Sequence, residues 1–332
     1  MERSDTQMMK GVAILFMLYL HLFNQMGNVE LCTTFLQFDG MPFVHWLSRA
    51  TSPVSFFLML GGYGLYLSYR KGDKHRFSRI LKLYYHYWII LTVFVLIGWF
   101  LRPNRYPGGW QQVLGNYTSF NTSYNGECWF LFPYVLVSLS SLWLFRWTDR
   151  FKAWHILACA FVLNFCTSYF ISRYGAKYLY NNHLLYNPYL YFHLLFSFLI
   201  GAMAARENWA QYLPKIKSSR WIWLFLAILM AICCVINTSI FGAPYTFCFI
   251  VLFLKAPKWN WVKKGLIEFG NHSMDMWFIH SWFCYYLFHD FIYSFKYPVL
   301  IFAVLVGISY ICAKLIGVII QKVSNPKYNQ QQ

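Results

Sequence analysis

Charged residues are scarce in this chain. They make up 12% of its 332 residues while 58% are hydrophobic, a balance that excludes a soluble globular domain. Carboxylates are scarcer still, 11 Asp+Glu against 28 Lys+Arg. The resulting formal charge of +17 does not point to nucleic acid, because the basic residues punctuate apolar segments and form no single patch. The nine cysteines include no CxxC pair of the metal-binding kind. Most lie in apolar runs, as Cys159, Cys233, Cys234 and Cys248 do, and read as small buried hydrophobes. No metal is expected. There is no internal repeat, no low-complexity tract beyond the polar tail NQQQ, and no soluble domain. No small-residue cleavage site follows the first apolar run, so it reads as a retained signal anchor.

What the chain has in abundance is apolar segments of near-membrane length. Ten stand out, at about 8–27, 50–69, 83–101, 129–146, 153–172, 188–205, 221–239, 241–255, 267–289 and 297–320. The expected fold is an all-α polytopic bundle of about ten transmembrane helices, one domain over 1–332. With the N-terminus inside, the inner segments hold 22 Lys+Arg and the outer loops the other six, Arg49, Arg102, Arg105, Arg173, Lys177 and Lys296. That asymmetry orients the bundle with both termini cytoplasmic. The outer loops 102–128 and 173–187 are polar and rich in Asn, Tyr and Gly, which suits an extracytoplasmic polar ligand.

The most informative run is KGVAILFMLYLH, which carries Lys10 at its start and His21 well inside the first apolar segment. Eleven residues are close to three helical turns, so the two side chains share a face about 16 Å apart. An ionisable group at that depth is costly to desolvate and marks a functional site, although a hydrogen bond to another helix would also hold it there.

Three further constellations bear on chemistry. In RKGDKHRFSRILK, a helix beginning near residue 75 would put Arg76, Arg79 and Lys82 at i, i+3 and i+6, within an arc of about 120°. With His75 beside them they would grip phosphates at the cytoplasmic mouth, or else anchor anionic lipid. In EFGNHSMDMWFIHSWF, Ser273 and His280 share a face with Trp277 between them, and His280 falls at a depth similar to His21. Either both histidines line one cavity or His280 is a structural hydrogen bonder. Glu127, in NGECWFLF, sits at the outer edge of the fourth segment, placed to orient a histidine or to cap a helix start.

These stretches resemble the membrane-bound acyltransferase-3 family over nearly the whole chain. KGVAILFMLYLH is similar to its Arg-x10-His motif, with Lys10 in the arginine place and His21 in that of the catalytic histidine. SFFLMLGGYGLYLSYRK resembles its FFFLSGYG segment with Gly61 for serine, HRFSR its RRxxR motif, CWFLFPYVL its WFL segment, and IEFGNHSMDMWFIHSWF its LGxxSxxIYxxH segment. Two departures weaken the grip on phosphate, Lys10 losing the bidentate fork and His75 standing for the first arginine. Gln7 takes the place of a frequent aspartate, with Asp5 nearby; no role passes to either.

The resemblance implies a bacterial inner-membrane O-acyltransferase that moves an acyl group, most often acetyl, from cytoplasmic acetyl-CoA to a hydroxyl of an extracytoplasmic or lipid-linked glycan. Capsule and exopolysaccharide O-acetyltransferases are the subgroup it suggests, without a fused hydrolase-like domain. Coenzyme A would dock on Arg76, Arg79 and Lys82, pass Lys10, and present its thioester to His21 as base or nucleophile. Membrane lipids are the other expected partner, and nucleic acid is not one. The alternative is a transporter or flippase of a polar or lipid-linked glycan. That class predicts paired repeats and broken helices, of which only Gly61-Gly62 offers a trace.

Overall fold

Where a chain meets lipid, its backbone must satisfy its own hydrogen bonds, and an apolar run of this length does so as a helix. The computed structural model describes residues 1–324 except 39, 74, 216 and 237. Lys74, Lys327 and the tail NQQQ lie outside the described residues. In chain order the helices are α1 (Arg3–Phe23), α2 (Met26–Val29), α3 (Phe43–Ser48), α4 (Pro53–Arg70), α5 (Arg76–Leu101), α6 (Trp110–Tyr117) and α7 (Leu131–Thr148). They continue with α8 (Ala153–Tyr174), α9 (His183–Arg206), α10 (Trp221–Ile236), α11 (Ser239–Lys255), α12 (Asn260–Ser281), α13 (His289–Tyr293) and α14 (Pro298–Ser324). A two-residue antiparallel pair, β1 (Gln37–Phe38) with β2 (Met41–Pro42), turns at Gly40, whose φ of 72° favours glycine.

Each of the ten apolar segments overlaps one helix, the ends moving by up to eight residues. Among the described residues, six helices are long and apolar enough to cross a membrane: Arg3–Phe23, Arg76–Leu101, Gly126–Thr148, Ala153–Leu179, His183–Arg206 and Pro298–Lys322. The outer surface is apolar to match, with Phe100 86%, Val299 79% and Val235 71% exposed, a surface that water would not tolerate at this extent. The chain is therefore an all-α membrane protein. Two expectations change. The ninth segment begins earlier, at Asn260, and its helix ends at Ser281 in a wide turn, Trp282–Tyr286. Gly61-Gly62 does not break α4, which runs unbroken from Pro53 to Arg70.

Two helix pairs set the positions of the site. The first is α1 with α12, which run parallel and touch backbone to backbone. A Cβ on Gly11 would strike the Leu266 carbonyl, and one on Gly270 the Gln7 carbonyl. The second is α4 with α9, where Gly62 abuts the Phe198 carbonyl and Gly201 the Met59 carbonyl. In lipid the hydrophobic effect offers little drive for helix pairing, so small residues that admit close packing supply it. The ring contact of Phe16 with Phe56, centroids 5.7 Å apart, fixes the relative height of α1 and the antiparallel α4. His21, five residues beyond Phe16, therefore stands about 7.5 Å higher, level with Thr51 and Ser52.

Candidate active site

The parallel packing of α1 on α12 brings two histidines from distant parts of the chain into one hydrogen bond. His21 Nδ1 lies 2.6 Å from His280 Nε2, with the rings tilted by only 8°. The far nitrogen of His280, Nδ1, faces the carbonyls of Trp277 at 2.8 Å and Met276 at 3.2 Å. The far nitrogen of His21, Nε2, faces Glu127 Oε2 at 3.0 Å. His21 is 7% exposed and His280 fully buried.

The acceptors fix the number of protons in this set. Carbonyls only accept, so His280 Nδ1 carries a proton. The His21–His280 contact needs a second proton and the His21–Glu127 contact a third. Two imidazoles and a carboxylate with three protons are net neutral, the state that burial favours. At rest His21 therefore has no free lone pair, because Nδ1 is committed to His280 and Nε2 to Glu127. A hydroxyl that is to be deprotonated by His21 must take the place of the Glu127 oxygen at Nε2.

The outer loop and the wide turn after α12 hold this arrangement. Asn125 donates to the Phe278 carbonyl at 3.3 Å and accepts from Ser281 at 2.8 Å. The Gly126 N–H donates to the Tyr286 hydroxyl at 2.8 Å, and the Trp277 indole N–H to the Glu127 carbonyl at 3.2 Å. Tyr285 donates to the His21 carbonyl. Glu127 itself sits in a short 3₁₀ turn, Gly126–Cys128, ahead of α7. Its side chain reaches His21, so of the two roles open for it the geometry takes the pairing with histidine.

On the opposite side of Trp277, a cavity of about 360 Å³ is lined by Lys10, Arg76, Arg79, Ser273, Phe130 and Trp277, among others. Arg76 is 3% exposed; its Nη2 donates to the Leu65 carbonyl at 2.8 Å, while Nε and Nη1 have no partner among the described residues. A buried guanidinium with unmet donors on a cavity wall is a strong anion seat. Arg79 is instead paired with Asp73, whose carboxyl is held below its ordinary range, first by the His75 backbone N–H at 2.9 Å and then by Arg79. Phe130 and Trp277, ring centroids 5.4 Å apart, close the cavity toward the histidines, and His21 is not on its wall.

The residues anticipated from sequence thus fall into three groups. His21, His280 and Glu127 come together as one hydrogen-bonded set. Lys10, Arg76, Arg79 and Ser273 line one cavity, with the Ser273 hydroxyl turned to the Gly270 carbonyl at 2.9 Å. His75 and Lys82 are exposed and off the cavity wall, since each i+3 step turns 60° further around α5 and carries Lys82 away from Arg76. Three features escaped the sequence reading. Trp277 separates cavity from histidines; Tyr285 and Tyr286 brace the site; and His86 Nδ1 pairs with Asp275 Oδ1 at 2.8 Å, a buried tie between α5 and α12. Intramembrane charge could have flagged both, since His86 and Asp275 each lie inside an apolar segment, but nothing local shows that they meet.

A helical membrane protein with a buried His–His–Glu set beside a cationic cavity has the equipment for proton-coupled group transfer to or from an anionic ligand. The acyltransferase-3 family model, described as an acyltransferase domain, matches residues 6–318, so the chain belongs to that family and is a membrane acyltransferase. No curated protein and no solved structure matches it.

Proposed function

We propose that the protein moves an acetyl group from cytoplasmic acetyl-CoA to a hydroxyl of an extracytoplasmic or lipid-linked glycan. Its setting is a bacterial inner membrane, which it crosses ten times with both termini in the cytoplasm. The observation that carries this reading is the pairing of Arg76, buried with two unmet donors on the cavity wall, with a neutral His–His–Glu set one tryptophan away. Phosphates of coenzyme A seat on Arg76 and Arg79 at the mouth, with Lys10 beside the pantetheine arm. The cavity, at about 360 Å³, is sized for that arm and leaves the nucleotide outside.

The chemistry balances without a metal-bound water. Glu127 withdraws from His21 Nε2 with the third proton; the acceptor hydroxyl takes its place and gives up its own proton to the freed nitrogen as its oxygen attacks the thioester carbonyl. Collapse of the adduct breaks the C–S bond, and the proton held by His21 passes to the leaving sulfur. His280 keeps the second nitrogen of His21 in place throughout. The test is transfer of radiolabel from [¹⁴C]acetyl-CoA to membrane glycan by protein in lipid nanodiscs. The reading expects label in glycan with wild type and none with His21→Ala, both proteins binding coenzyme A. Absence of coenzyme A binding by the wild type would remove it.

A further inference from the structure

A second cavity, of about 320 Å³, lies against the start of α4, where Ser52 just before the helix and Ser55 and Leu58 within it line the wall; the cavity below Trp277 lies further along, at Gly61 and Leu65. Its level is that of His21, because His21 stands opposite Thr51 and Ser52 across the α1–α4 pair. Trp129, two residues after Glu127, forms part of its wall. The same stretch of chain that delivers the carboxylate to His21 therefore also borders this cavity.

Its lining is rich in donors and holds no carboxylate. Asn164 Nδ2 gives one proton to the His193 carbonyl at 2.8 Å and one to His193 Nδ1 at 3.3 Å, and Ser168 lies 3.2 Å from the same nitrogen. With Nδ1 accepting, the ring proton sits on Nε2, which has no acceptor among the described residues. Ser55 accepts from Ser52 and from Ser197, each at 3.3 Å, and its own proton is left unplaced. The Trp129 indole N–H likewise has no partner among the described residues, and its ring offers a flat apolar face. Among the described residues the Arg49 guanidinium donates only to the Met41 sulfur, at 3.2 Å, and pairs with no carboxylate.

We infer that this outer cavity is the acceptor subsite and that it takes an anionic glycan, the sugar ring against Trp129 and its carboxylate or phosphate on Arg49. The inference rests on the transfer reading above for the word acceptor, but not for the binding itself. An unpaired guanidinium selects a planar or tetrahedral oxyanion by bidentate hydrogen bonds. Hydroxyl and imidazole N–H donors then fix the ring, and a site built from buried polar groups rejects a ligand that leaves them unmet. The volume is at the lower end of small-molecule sites, about 300–1,000 Å³, enough for one or two sugar rings and not a polymer.

The test uses the full chain in lipid nanodiscs and three probes: tri-galacturonate, maltotriose and glucose 1-phosphate. Titration should show saturable binding of an anionic probe, weakened at least tenfold by Arg49→Gln and by Trp129→Leu. Maltotriose should bind more weakly and be indifferent to Arg49→Gln. Acetyl-CoA affinity should be unchanged in both variants, which reports intact folding. Arg49-dependent binding of tri-galacturonate identifies a ring carboxylate as the recognised anion, and that of glucose 1-phosphate a sugar phosphate. Equal binding of maltotriose and tri-galacturonate, or anion binding indifferent to Arg49→Gln, overturns the proposal. So does no binding of any probe by a protein that still binds acetyl-CoA. Anion binding without acetyl-CoA binding would instead sink the transfer reading and leave the subsite standing.

Discussion

The Trp277 indole N–H lies 3.2 Å from the Glu127 carbonyl, so the ring that closes the cavity lined by Arg76 also holds the turn that delivers the carboxylate to His21. In the transfer proposed above, two substrates from opposite sides of a membrane meet at one point, and Trp277 touches both the Arg76 cavity and the turn that carries Glu127. The cavity lined by Arg76 ends at that ring. The His–His–Glu set begins just beyond it.

Replacing Glu127 separates its charge from its shape. Glu127→Gln keeps a hydrogen bond to His21 Nε2 but takes one ionisable group out of the net-neutral set. Transfer should fall by about 10²–10⁴-fold, the range of a lost acid–base partner, with coenzyme A affinity unchanged. His280→Leu should act one step further out. It leaves His21 Nδ1 without its acceptor, freeing the ring to flip, so kcat should drop while donor KM holds. Label transfer at saturating acetyl-CoA checks both; full activity in Glu127→Gln would take the carboxylate out of the mechanism.

The donor end makes a prediction of opposite sign for two neighbours. Arg76→Ala should weaken acetyl-CoA binding by about 1–3 kcal/mol, the scale of a lost charge-assisted hydrogen bond. Asp73→Asn should strengthen it a few-fold, because Arg79 is occupied by that carboxylate in the unliganded protein. Both are read from titrations at low salt, and raising the ionic strength should shrink the Asp73 effect most, its pair being solvent-exposed. Unchanged affinity in both variants would leave the basic segment as a lipid anchor.

A third prediction concerns packing alone. At Gly62 any side chain meets the Phe198 carbonyl, which belongs to the rigid backbone of α9 and cannot step aside. Gly62→Val should therefore lower the melting temperature and the yield of inserted protein. Gly64→Ala, two residues on, has open space around its Cβ and should leave both unchanged. Equal stability of the two variants would mean that α4 and α9 are not in contact as described.

Much of this was legible in the sequence because it is periodic. Lys10 and His21 fall on one helix eleven residues apart, and the depth shared by His21 and His280 followed from counting inward along two segments that run parallel. The arginines at 76 and 79 reach one wall for the same reason. What the sequence could not show is what helix crossing creates. Whether Glu127 capped a helix or met a histidine depends on where the 3₁₀ turn is pinned, and the pins come from Tyr286, Trp277 and Ser281, 150 to 160 residues away. The His86–Asp275 pair and the outer cavity at Arg49 and His193 arise in the same way, from elements remote in the chain. Gly61-Gly62 was ambiguous from sequence because a glycine pair can break a helix or pack one, and only the neighbour decides.

Trp277 permits the sharpest test, since two substitutions divide its two functions. The ring is 6% exposed and stands between the cavity lined by Arg76 and the histidines. Trp277→Ala would open that partition and admit water to a site that otherwise excludes it. Acetyl-CoA should then be hydrolysed without acceptor, so that free thiol release outruns acetyl transfer several-fold. Trp277→Phe keeps most of the ring and loses only the N–H to the Glu127 carbonyl. It should retain tight coupling of thiol release to transfer while slowing both, because the carboxylate turn is less firmly held. Thiol release and label transfer measured together distinguish the two variants. If Trp277→Ala leaves both rates and their ratio at wild-type values, the donor does not pass this ring, and the cavity lined by Arg76 is not the route to His21.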